Sequence, residues 1–110
     1  MEMSRRKEKN AVVLSVKGRL DAVTSPDFER ELTGLIAQGE TLFVLDFGKL
    51  DYISSAGLRS VLATTKRLKE KQGKLFLCSL RDVVKQVFEI SGFSAIIPVY
   101  ESLDLALSKI

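Results

Sequence analysis

LFVLDFGKLDYISSAGLRSVL, residues 42–62, passes from an unbroken apolar run through a hydroxyl-rich corner into an amphipathic stretch. Its first part, within TLFVLDF (41–47), has strand length and no polar alternation. That is the pattern of a strand covered on both faces of its sheet. From Leu58 the apolar positions are Leu58, Val61, Leu62, Thr65 and Leu68, one stripe of a helix that Gly73 can close. A buried strand feeding an amphipathic helix is the repeating unit of α/β proteins. The segment GKLDYISSAG (48–57) between them reads as the connecting loop.

The same alternation extends outward. AVVLSVKGRL (11–20) is rich in β-branched residues and reads as a strand ending near Gly18. TSPDFERELTGLIAQG (24–39) reads as a helix with Ser25 as N-cap, Pro26 in the first turn, Phe28, Leu32, Leu35 and Ile36 on one face, and Gly39 at its end. KLFLCSL (74–80) reads as another buried strand. RDVVKQVFEISG (81–92) reads as a helix burying Val83, Val84, Val87 and Phe88 and stopped by Gly92. SAIIPVY (94–100) reads as a short strand, at an edge or an end because of Pro98, and ESLDLALSKI (101–110) as a last helix. The first nine residues are polar and are expected to fray. Together these elements predict one α/β domain over 1–110: a single mixed, mostly parallel sheet of four to five strands with about four helices.

Bulk properties exclude several classes of function. The 110 residues contain no histidine, which removes Ser-His and Cys-His nucleophilic pairs and histidine metal sites. The lone Cys78 cannot form an internal disulfide, and in an apolar run it reads as a buried strand thiol. The net charge of +3 lies largely in SRRKEK (4–9) and KRLKEKQGK (66–74), both interrupted by acids. Nucleic-acid binding would call for a purer basic stripe interleaved with aromatics. A charged start without an apolar core of signal-peptide length, and no apolar run near membrane-spanning length, place the chain in the cytoplasm as an expectation. No enzyme, cofactor or metal site is expected.

The corner at 54–57 admits two readings. Either serine can cap a helix, its oxygen accepting a bond from the second or third helical N–H. Alternatively, a serine at a helix start is a place where a phosphoryl group is tolerated, adding about −1.5 to −2 charge and three acceptor oxygens. That would switch binding rather than catalyse a reaction. The spacing is neither a P-loop nor a GxSxG nucleophile elbow. Asp46 and Asp51 flank the strand end but bring no third ligand for a cation, and Asp21 reads as a turn residue or a partner contact.

In order, GRLDAVTS (18–25), LFVLDFGKLDYISSAGLRSVL (42–62), KLFLCSLRDVVKQVFEISGF (74–93) and ESLDLAL (101–107) resemble the STAS domain, in particular the bacterial anti-sigma factor antagonists. The most specific part is an Asp at a strand end followed by [DS]-S-x-G-L opening a helix. The G-x-L-D element at 18–21 and FEISGF at 88–93 add to it. The resemblance implies partner switching. The unmodified protein binds an anti-sigma factor that is also a serine kinase, which frees the sigma factor; phosphorylation ends the binding, and a serine phosphatase resets the cycle. The family's phosphorylated serine matches Ser55. Ser54 stands where the family commonly has Asp, which also offers a second hydroxyl. Partner contacts implied by the resemblance fall on Asp21, Thr24, Ser54, Ala56, Gly57 and Arg59. A different function within the same family would be an interaction module in a signalling scaffold or a transporter-associated complex.

Overall fold

A computed structural model describes residues 1–110. The chain runs β1 (Glu2–Glu8), β2 (Ala11–Leu20), α1 (Ser25–Ala37), β3 (Leu42–Ile53), α2 (Ser55–Glu70), β4 (Lys74–Cys78), α3 (Asp82–Ser91), a short 3-10 turn (Phe93–Ala95), β5 (Val99–Tyr100) and α4 (Leu103–Ser108). The five strands lie in chain order, β1-β2-β3-β4-β5. Only the β1–β2 pair is antiparallel. The mixed, mostly parallel α/β sheet expected from the sequence is therefore present.

Strand order dictates the layering. Each parallel crossover steps to the next strand in the same direction, and right-handed crossovers then place every connecting helix on one face. The main core confirms it. Phe28 and Leu32 of α1, Val61 and Leu68 of α2 and Phe88 of α3 pack together on Leu14, Phe43, Leu45 and Leu77. The opposite face holds a second, smaller core in which Val13, Val44, Phe76 and Cys78 lie under Ala106 and Leu107 of α4. Both faces of β3 are thus covered where its sequence is uniformly apolar.

Several boundaries differ from the sequence expectations. Residues 2–8, expected to fray, form β1 and pair with β2 through seven successive registers from Glu2↔Lys17 to Glu8↔Ala11. The turn joining them has positive φ at both Lys9 and Asn10, the twist favoured in two-residue hairpins. Ion pairs of Arg5 with Glu31 and of Lys7 with Glu40 tie the strand to α1 and to the turn that follows it. Ser25 is the first helical residue rather than the N-cap, which is Thr24. Gly18 does not end β2. Only Val99 and Tyr100 of the segment 94–100 form a strand, because the 3-10 turn takes its first residues. Val83, expected to be buried, is 60% exposed; Val84 and Phe88 carry the burial of α3.

The largest correction concerns 48–57, which is a strand as far as Ile53. Between the Ser15↔Asp46 and Lys17↔Lys49 pairs, β3 holds one extra residue, and it holds another between Gly18↔Leu50 and Arg19↔Tyr52. These are β-bulges, which turn side chains out of simple alternation. As a result Phe47, Leu50 and Ile53, three residues apart, all enter the same core. The Asp46 carboxylate accepts the Gly48 N–H at 2.9 Å and holds the first bulge.

Candidate functional site

The two bulges carry β3 beyond the body of the sheet, so α2 starts beside the end of β2. The Ser54 N–H donates to the Leu20 carbonyl at 3.0 Å, and Ser54 keeps extended backbone angles (φ −94°, ψ 175°). Its Oγ accepts the Gly57 N–H at 3.2 Å, so Ser54 is the N-cap of α2. Gly57 packs against the same Leu20 carbonyl; a Cβ there would sit 2.6 Å from that oxygen. No other residue type fits so close an approach without movement.

The adjacent serine is in a different state. Ser55 is exposed, stands first in the helix, and its hydroxyl makes no hydrogen bond within the chain. Ala56 is half-buried beside it. Arg59, one turn further on, is exposed and belongs to none of the chain's ion pairs.

The β2–α1 loop follows directly on Leu20, the residue that the α2 start touches. Asp21 Oδ1 accepts the N–H groups of Val23 at 3.0 Å and Thr24 at 3.1 Å. Thr24 Oγ1 accepts the Asp21 N–H at 2.9 Å and donates to the Arg19 carbonyl at 2.9 Å. The Thr24 N–H above all, with the Val23 N–H, the Thr24 hydroxyl and the nearby Arg19 cation, outweighs desolvation and holds the Asp21 carboxyl below its ordinary range. The Arg19 guanidinium lies 3.6 Å from Asp21 and 4.2 Å over the ring of Tyr52. This turn therefore uses Asp21 and Thr24 as its internal fasteners.

The residues singled out in the sequence converge on one corner. Ser54, Ser55, Ala56, Gly57 and Arg59 open α2, whose first turn packs on Leu20, and Asp21 and Thr24 belong to the loop that starts at the next residue. Two further residues were not read from the sequence. Val23 is 85% exposed at the loop tip, because its backbone faces the Asp21 carboxylate and its side chain faces out. Tyr52 is brought to the surface by the second bulge. A D-x-V-T turn is the only sequence signal that pointed to Val23. Asp51 pairs with Arg81, whose Nε also donates to the Gly48 carbonyl at 3.0 Å, so this carboxylate ties α3 to the bulged strand.

A polar concavity of about 670 Å³ lies elsewhere, over β1 to β3 on the side that α4 leaves open, lined by Arg6, Ser15, Lys17, Asp46 and Lys49 among others. Neither Ser55 nor any residue of the 21–24 loop lines it. No helix in the chain is long and apolar enough to cross a membrane.

Comparison with known proteins places the chain in a family. BtrV of Bordetella bronchiseptica, named as a candidate anti-sigma factor antagonist, is 42% identical over 106 residues, covering 96% of this chain and 91% of that protein. The anti-sigma-B factor antagonist of Staphylococcus aureus is 27% identical, covering 84% of this chain and 85% of that one. The anti-sigma factor antagonist SpoIIAA shares the fold in its unphosphorylated form (TM-score 0.85, 22% identity, 98% of this chain and 95% of that one). It also does so in its phosphorylated form from Bacillus (TM-score 0.77, 21% identity, 98% of each). The STAS domain profile matches residues 2–106, and with the 42% relative it establishes that the chain belongs to the STAS domain family, among relatives named as anti-sigma factor antagonists.

Proposed function

We propose that this protein is a phosphorylation-switched antagonist of an anti-sigma factor. In the unmodified state the α2 corner binds an anti-sigma factor that is also a serine kinase, and the sigma factor is released. The kinase then transfers the γ-phosphoryl group of ATP to Ser55 Oγ; ADP leaves and the hydroxyl proton is lost. The new charge and bulk end the binding, and a serine phosphatase restores the hydroxyl. On this reading Ser55 is the acceptor, and Asp21, Thr24, Ser54, Ala56, Gly57 and Arg59 shape the contact surface, with the exposed Val23 as an apolar anchor.

The observation that carries the assignment is the contrast between the two serines. The Ser54 hydroxyl is occupied in capping α2, whereas that of Ser55 is exposed and unbonded. A kinase can take the second without opening the helix. The phosphoryl group then sits at the start of a 16-residue helix with no acid in its first turn, where a negative charge is tolerated. The relatives named as anti-sigma factor antagonists, and the two phosphorylation states in which SpoIIAA is described, support the same reading.

The test is incubation of the purified chain with the anti-sigma kinase of its own organism and ATP, followed by phosphosite mapping by mass spectrometry. Phosphate on Ser55, absent from Ser55→Ala, is expected. Ser55→Ala should still bind the kinase and Ser55→Asp should bind it poorly. Phosphate on Ser54 alone, or an Asp variant that binds like the parent, would overturn the assignment.

A further inference from the structure

Ser55 and Arg59 stand four residues apart on α2, so their side chains share one face of the helix. Helical side chains lean toward the N-terminus, which sends the long Arg59 side chain over the turn that carries Ser55. Both are exposed. Of the charges at the ends of β2 and β3, Arg19 lies beside Asp21 and Asp51 is paired with Arg81. Arg59 has no acidic partner, and the first turn of α2 holds no carboxylate to supply one.

We propose that Arg59 is a built-in receiver for the phosphoryl group on Ser55: once the serine is modified, the guanidinium folds back and binds the phosphate oxygens. Arginine suits the task because its planar fork engages two oxygens at once. The modification then removes two features from the contact surface, a neutral hydroxyl and an uncommitted cation. Arg59 therefore acts as a positioning residue for the switched-off state as well as a contact in the switched-on state. This inference rests on the reading of Ser55 as the phosphoacceptor.

The experiment uses the full chain with phosphoserine incorporated at position 55 during translation, so that no kinase is needed. Phosphorus NMR across pH reads the second ionisation of the phosphate, which lies near 6 in an unstructured chain. In the folded parent the midpoint should fall, and Arg59→Gln should raise it by about 0.5 unit, roughly threefold in proton affinity. Arg59→Lys should recover part of the shift. Any general effect of the helix start is common to all three proteins, so the difference isolates Arg59. The Arg59 Nε–H resonance should also move on phosphorylation of the parent. Equal midpoints in parent and Arg59→Gln, with an unmoved Nε–H signal, would overturn the pairing. That result would leave Ser55 as acceptor untouched, whereas kinase-derived phosphate at another residue would remove the acceptor assignment while the measured pairing stood.

Discussion

Replacing Gly57 by Ala tests the close approach that fixes α2 on the sheet. In a helix the change ordinarily stabilises by up to about 1 kcal/mol, since Ala gives up less backbone entropy. Here the added carbon would lie 2.6 Å from the Leu20 carbonyl oxygen and 2.8 Å from Ile53 Cγ1. Neither neighbour can swing aside: the carbonyl also accepts the Ser54 N–H at 3.0 Å, and Leu20 and Ile53 are buried in the main core. Overpacking at such a site costs roughly 1–3 kcal/mol. The clash should outweigh the helix gain, leaving a net loss of up to about 2 kcal/mol, or up to roughly 10 °C in melting temperature for a domain near this size. Gly34→Ala in α1 is the matched control, because a Cβ there meets nothing within 4 Å. Urea titration of the two variants against the parent should move the midpoint down for Gly57→Ala and up for Gly34→Ala. A Gly57→Ala protein as stable as Gly34→Ala would refute the argument from steric closeness.

Two further outcomes can be checked by the same denaturation assay. Ser54→Ala removes the N-cap and should cost about 1 kcal/mol in chemical denaturation, while Ser54→Asp, which keeps an acceptor oxygen, should restore most of it. Burial first, and then the charge of Asp46, pushes the Cys78 thiol up to about 11 from 9.0. Both folded and unfolded chains hold the proton below pH 9; above it the unfolded chain releases the proton first, so stability should fall as pH rises from about 9 toward 11. Cys78→Ser should flatten that slope, and a disulfide-exchange reagent should label native Cys78 only at the rate of unfolding.

Helices α1 and α2 and the apolar parts of β2, β3 and β4 were legible because their side chains keep a regular period on a buried face. β1 was not, because all its residues except Met3 and Glu8 are exposed: its hydrogen bonds to β2 and its ion pairs, rather than apolar burial, hold it in place. The end of β3 was hidden by its bulges. Phe47, Leu50 and Ile53 recur every third residue, a spacing that matches neither a flat strand nor a helix. Pro98 marked an edge strand correctly, since β5 is the last in the sheet, yet composition could not separate the preceding 3-10 turn from the strand. At the corner, the choice between Ser54 and Ser55 depends on which oxygen reaches the Gly57 N–H, a matter of backbone angles. Val23 and Tyr52 are exposed through turn and bulge geometry, and their residue types alone would have suggested burial.

Chain order and spatial order coincide in this sheet, and that bears on how the protein is made. During synthesis the β1–β2 hairpin emerges before the strands that extend it, and each later strand finds its neighbour already in place. No gap has to be held open inside the sheet, as it would be if a late strand inserted between two earlier ones. Helix α4 follows all five strands in the chain and seals the far side of the sheet over Val44, Phe76 and Cys78. Until that helix docks, the apolar strip stays open to solvent, so a chain with its five strands assembled and α4 still undocked is the species most exposed to misassociation.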